Sequence, residues 1–390
     1  MMTAKRFGIA RRVALGASAL GLVLGLAACA SEAPRSKPSA DPEPKSTEVA
    51  ETFPEPEAAP VLLLASLAKK AELAVIDPSL PDADAGVRTI SVGGAPWGVG
   101  VHNETGTAYA ATSEGLAVVD LAAGKRTALV QYQHPAPMQS VGEYRPGGLG
   151  LAVAPDGSRV YVAVTTGDGK DNLEVFDTAE GAFIGSVPVG MRPFDVLVAP
   201  DGSWAATVDH DGFTVTVVDA ATLKPTQHTV APFGTEGGLA SWEKPHYGAV
   251  DADGTILLPY QGLVVARLDP LSGSVTTLKS KANSHSHGTA LAGRKLLTVG
   301  TGAFGNASGE PNLSILDLDS GNEQVVPVSP PHETVAVWTD AAGGEFAALG
   351  GGNTRDEGWD GLTLVSLADL SVRSIPVPGY PQVVVPFAAR

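Results

Sequence analysis

Gly379-Tyr380-Pro381-Gln382-Val383-Val384-Val385-Pro386-Phe387-Ala388 decides how this chain folds. It is a short apolar run behind a proline. The same shape occurs in Ala95-Pro96-Trp97-Gly98-Val99-Gly100-Val101, in Arg192-Pro193-Phe194-Asp195-Val196-Leu197-Val198 and in Lys244-Pro245-His246-Tyr247-Gly248-Ala249-Val250. Each of those earlier copies opens a unit with room for three more strands. The C-terminal copy has no unit behind it, and the first unit, near Pro60, has no opening strand. A ring in which the last strand completes the first blade answers both facts, and it leaves no sheet edge exposed.

Working outward, short β-branched runs divided by Gly, Asp, Asn and Pro fill the chain from Pro60 on, with no helical period. The last apolar residues of the opening strands are Val101, Val153, Val198, Val250, Leu291, Val337 and Val385, in steps of 41 to 52 residues. Those steps match one four-stranded propeller blade. A second marker runs in phase. The third strand of each unit ends at Asp77, Asp120, Asp177, Asp219, Asp269 and Asp317, with Ser366 in the seventh. These side chains suit a turn, where a short oxygen-bearing group caps the backbone. The expected fold is all-β: a seven-bladed β-propeller over residues 61–390, its first blade closed by the C-terminal strand.

The clearest repeat is Ala154-Pro155-Asp156-Gly157-Ser158-Arg159-Val160-Tyr161-Val162-Ala163-Val164, echoed by Ala199-Pro200-Asp201-Gly202-Ser203-Trp204. It resembles the "PDG…YVTN" repeat of seven-bladed propellers in the YVTN/lactonase-like superfamily. That superfamily holds enzymes, ligand binders and scaffolds, so the resemblance implies a fold and leaves function to a site.

Residues 1–28 read as a targeting segment. Lys5, Arg6, Arg11 and Arg12 precede an apolar, small-residue run from Val13 to Ala28. Leu26-Ala27-Ala28-Cys29 resembles a bacterial lipobox, which implies that Cys29 is acylated and becomes the new N-terminus. Cys29 is the only cysteine, so an intrachain disulfide is excluded. Residues 29–60, rich in Ser, Pro, Glu and Ala, have too few apolar side chains to fold and read as a lipid-anchored tether. The expected location is the cell envelope or periplasm, with the membrane touched only through the anchor. A net charge of −16 argues against nucleic acid as a partner.

Six of the eight histidines fall in connections that share one face of the disc. His134 lies in the connection leading to the third blade, and His210 in a turn of the fourth, within Asp209-His210-Asp211-Gly212. His246 opens the fifth blade, His285 and His287 the sixth, and His332 the seventh. His246 and His287 share a register, and His332 falls one residue earlier. Imidazoles converging from neighbouring inner strands predict a divalent-metal site, with zinc the metal that the donors favour. Glu333, Asp195, Asp209 and Asp211 are carboxylates near the same rim, as further ligands or as acceptors for ring N–H groups. The tryptophans are expected to wedge between blades.

Pro245 to Val250 and His287-Gly288-Thr289-Ala290 are similar to the zinc-ligand segments of secreted zinc-metallochaperone propellers of the AztD type. That resemblance implies zinc binding outside the cytoplasm and transfer to the solute-binding protein of an importer. Two alternatives stand beside it: a lactonase-like or metal-assisted hydrolase or lyase at the same rim, and an interaction scaffold without metal. The chain has no Gly-x-Ser-x-Gly elbow and no His-Glu-x-x-His pair.

Overall fold

The computed structural model describes residues 60–80, 86–137, 145–230, 244–260, 263–282, 288–305, 309–352 and 360–389. The expected signal peptide, Cys29 and tether lie outside the described residues. Within them, the second and third strands of each blade are apolar and buried on both faces, as in Trp204–Asp209 and Thr214–Asp219. The fourth strand is polar and largely exposed, as in Pro225–Thr229. This gradient from a dry interior to a wet edge is what a radially arranged sheet requires.

Among the described residues twenty-eight strands, numbered in chain order, form seven four-stranded antiparallel sheets. The first sheet joins the two ends of the ring in the order β28 (Pro381–Ala388), β1 (Val61–Leu67), β2 (Glu72–Ile76) and β3 (Val87–Ser91). Its closing register pairs Val61 with Ala388 and Leu64 with Val385. The other six sheets each take four consecutive strands. Their inner strands are β4 (Val99–His102), β8 (Gly147–Val153), β12 (Pro193–Val198), β16 (Ala249–Val250), β20 (Gly288–Ala292) and β24 (Thr334–Thr339). Each inner strand touches the next around the circle, and β28 touches both β24 and β4. The ring is closed, as the C-terminal stretch predicts.

Apolar clusters fill the gap between every pair of neighbouring blades. Leu64, Val75, Val99 and Ala110 join the first blade to the second, and Leu63, Ala348, Leu364 and Val384 join the seventh to the first. Trp204 and Trp338 wedge between blades, Trp338 donating its indole N–H to the Val61 carbonyl at 2.7 Å. The phased aspartates cap their corners. Asp219 Oδ1 accepts from the backbone of Ala221 and Thr222, Asp317 Oδ1 from Asp319 and Ser320, and Ser366 Oγ from Ala368 and Asp369.

Two glycines set how closely the inner strands approach. A Cβ on Gly98 would stand 2.3 Å from the Leu149 carbonyl oxygen, and one on Gly288 2.3 Å from that of Glu333. Any side chain there would push neighbouring blades apart. The Gly98 N–H instead donates to Leu149 O at 2.9 Å, a bond from blade to blade.

Candidate functional site

Where the inner strands begin, their first side chains gather on the axis. Trp97, Leu149 and Phe194, from three consecutive blades, pack with Ala68 and Tyr380 in a cluster of their own. His246 continues this ring beside Phe194, with ring centroids 4.6 Å apart. His210 reaches it from the turn between β13 (Trp204–Asp209) and β14 (Thr214–Asp219). Its ring centre is 4.8 Å from that of His246 and 5.0 Å from that of Phe194. Tyr247 stacks on His246 at 4.6 Å with the planes nearly parallel. Both imidazoles are buried.

The tautomer of His210 follows from its partner. Nδ1 donates to the Pro245 carbonyl at 2.8 Å, so in the neutral ring Nε2 carries the lone pair. An N–H held by a backbone carbonyl is the arrangement that orients imidazoles toward metal ions. Pro245 directly precedes His246, so one peptide positions both rings.

The neighbouring carboxylates are committed in different ways. Asp211 accepts from Lys244 Nζ at 2.7 Å and Arg192 Nε at 3.1 Å, with His210 Nε2 at 4.0 Å. Two cations already neutralise it. Asp209 is buried beneath three hydroxyls, those of Thr207, Thr216 and Thr214, at 2.6, 2.6 and 2.9 Å. Burial outweighs those bonds and pushes its carboxyl up to about 6. Glu333 is buried and accepts from the Gln382 amide at 3.1 Å.

The remaining histidines stand apart from this pair. His332 sits inside the seventh blade, its Nδ1 on Gly351 O at 2.9 Å and its Nε2 on Thr363 Oγ1 at 2.8 Å. Both ring nitrogens are used, and burial holds its pKa down at about 4. His134 lies against the outer strands of the third blade, bonded to Glu174 at 3.2 Å and Ser186 at 3.1 Å. His285 and His287 lie outside the described residues. Among the described residues, no three His, Cys, Asp or Glu side chains form a group able to hold a metal ion. The structure brings together His210 and His246, with Asp211 at their edge.

Beside this ring lies a cavity of about 300 Å³ between the inner strands. Its walls are mostly aliphatic, with Trp97, Phe194 and Tyr247 among them, and among the described residues Asp195 is the one charged side chain lining it. Pairing between β12 and β13 slips between Pro193 and Asp195. The bulge leaves Phe194 over as the extra residue, and Asp195 lines the lumen. Its carboxylate accepts from Val196 N at 2.9 Å and Gly248 N at 3.0 Å. Asp195 is half-buried, part of its surface meeting the lumen and the rest packed among apolar strands. Loss of hydration therefore pushes the Asp195 carboxyl up to about 7, against the pull of those two N–H groups.

Sequence reasoning placed Trp97 between blades, and the structure puts it at the channel instead. The signal was present. Trp97, Leu149, Phe194 and His246 each stand four residues before the last apolar residue of their opening strand, a shared register with little in common chemically.

No protein-family profile and no curated protein matches this chain. Solved structures do. Hydrazine synthase of Kuenenia stuttgartiensis superposes with a TM-score of 0.52 at 16% identity, covering 70% of this chain and 76% of that one. A functionally unknown protein from Desulfotomaculum acetoxidans superposes with a TM-score of 0.58 at 9% identity, covering 84% of this chain and 99% of that one. At such identities the likeness is one of fold.

Proposed function

We propose that this protein is a lipid-anchored, extracytoplasmic propeller that binds a divalent metal ion at the channel mouth between its fourth, fifth and sixth blades. Imidazole donors make zinc the fitting metal, and an importer's solute-binding protein is the proposed recipient. The observation that carries this reading is the adjacency of the His210 and His246 rings, 4.8 Å between centres, with His210 Nδ1 fixed by a carbonyl. Two donors do not complete a zinc site. His287 and His285 are the proposed further ligands, since His287 directly precedes Gly288, which lines the same lumen. Local similarity to the AztD-type zinc metallochaperones supports the same assignment, within a YVTN-like propeller.

Zinc titration against a chromophoric chelator tests the reading. The protein without residues 1–29 should take up about one zinc ion. A His210→Ala/His246→Ala double variant should lose that uptake, while a His332→Asn variant should keep it. Uptake that survives the double variant removes the proposal.

A second reading, a hydrolase or lyase working from the same channel, is favoured by Asp195. A carboxyl held near neutrality beside a small cavity suits proton transfer. Lactone hydrolysis that disappears in Asp195→Asn would support it.

A further inference from the structure

The channel cavity has a chemistry of its own, separate from the histidine pair. Its volume, about 300 Å³, lies at the lower end of small-molecule pockets and is roughly that of ten water molecules. Val99, Leu151 and Leu197 give it aliphatic walls. Against these stand two features that a ligand could use.

The first is Asp195. Two backbone N–H groups hold its carboxylate in place, occupying about half of its lone-pair sites. Among the described residues no basic side chain pairs with it, although the protein surrounds Asp211 with two. An anion withdrawn from bulk water is stabilised most by a cation brought to it. The second is the aromatic side chain of Tyr247. Trp97 and Phe194 lie beside the same space but are 1% exposed, whereas Tyr247 is 8% exposed and offers the aromatic surface to which an ammonium group is attracted.

We propose that the channel binds a small organic molecule bearing a protonated primary amine, with the ammonium on Asp195 and the apolar body among the aliphatic walls beside Tyr247. A metal ion fits poorly here, because one carboxylate in an apolar lumen falls short of a coordination shell. An anionic ligand would be repelled. A quaternary ammonium would gain the aromatic attraction but could donate no hydrogen bond to the carboxylate. This inference does not depend on zinc.

The test uses three probes of nearly one shape: 2-phenylethylamine, 2-phenylethanol and phenylacetate. Binding to the purified protein is read by calorimetry and by tryptophan fluorescence. The amine should bind, the alcohol at least about tenfold more weakly, a factor worth about 1.4 kcal/mol. Phenylacetate should give no signal. Asp195→Asn should weaken the amine at least about tenfold, leave the alcohol unchanged and retain zinc uptake. Equal binding of amine and alcohol to the wild-type protein, or no amine binding at millimolar concentration, overturns the proposal without reference to any variant. Amine binding that is unaltered in a folded Asp195→Asn protein overturns it as well. Loss of zinc uptake in His210→Ala/His246→Ala with amine binding intact keeps the two readings distinct.

Discussion

Replacing Asp195 by Asn should make the propeller more stable in mild alkali, an unusual direction for a half-buried, hydrogen-bonded residue. Its carboxyl, displaced by burial from the usual carboxylate range to about 7, disfavours the folded state whenever it is ionised. The group's stabilising contribution is whole below about pH 4 and is lost as pH rises through about 7. A shift of about three pKa units corresponds to about 4 kcal/mol above neutrality, as an upper bound. An asparagine carries no charge and keeps one acceptor oxygen for Val196 or Gly248, forfeiting one bond worth about 1 kcal/mol. The net gain is at most about 3 kcal/mol at pH 8 and within about 1 kcal/mol of zero at pH 5. For a folded unit of this size the unfolding entropy is about 0.7 kcal/mol per kelvin, so the melting temperature should rise by up to about 4 °C at pH 8. Calorimetric melts of the two proteins at pH 8 and pH 5 measure this. A variant that melts lower than wild type at pH 8, or shows the same difference at both pH values, refutes the reasoning.

Other outcomes follow from the same structure. His332 is kept neutral by burial, with its pKa lowered to about 4, so its contribution is complete above about pH 6.5 and lost as pH falls toward 4. His332→Asn should therefore destabilise by about 2 kcal/mol at pH 8 and by clearly less at pH 5. Urea midpoints read the difference, and a deficit independent of pH contradicts the assignment. Gly288→Ala places a methyl 2.3 Å from Glu333 O, which should cost about 1–3 kcal/mol and lower the melting temperature. An unchanged melt would mean that the blades do not approach as closely as described.

Much of the fold was legible because each blade repeats the same physical problem. A strand buried on both faces needs an apolar run, and each corner needs a group that caps the backbone. The chain answers both in the same register seven times, from Asp77 to Ser366. Ring closure was legible because β28 resembles inner strands that belong to blades. The site was harder to read. Which imidazoles meet depends on contacts between blades that no local pattern encodes. His210 turns toward His246 because Pro245 O holds it, whereas His332 is drawn inward by Thr363, a residue two strands away in its own blade. Asp195 lines the lumen through a bulge of a single residue, which shifts the register without changing composition. Trp97 looks like an interblade tryptophan in sequence, and in the structure it packs with Leu149 and Phe194 where the inner strands begin.

Crystals grown with zinc and measured at the zinc absorption edge test the proposal that His210 and His246 hold one metal ion between them. A single anomalous peak is expected about 2.0–2.1 Å from His210 Nε2 and from a ring nitrogen of His246. A zinc-saturated crystal with no peak at that position, or with its zinc elsewhere, would contradict it.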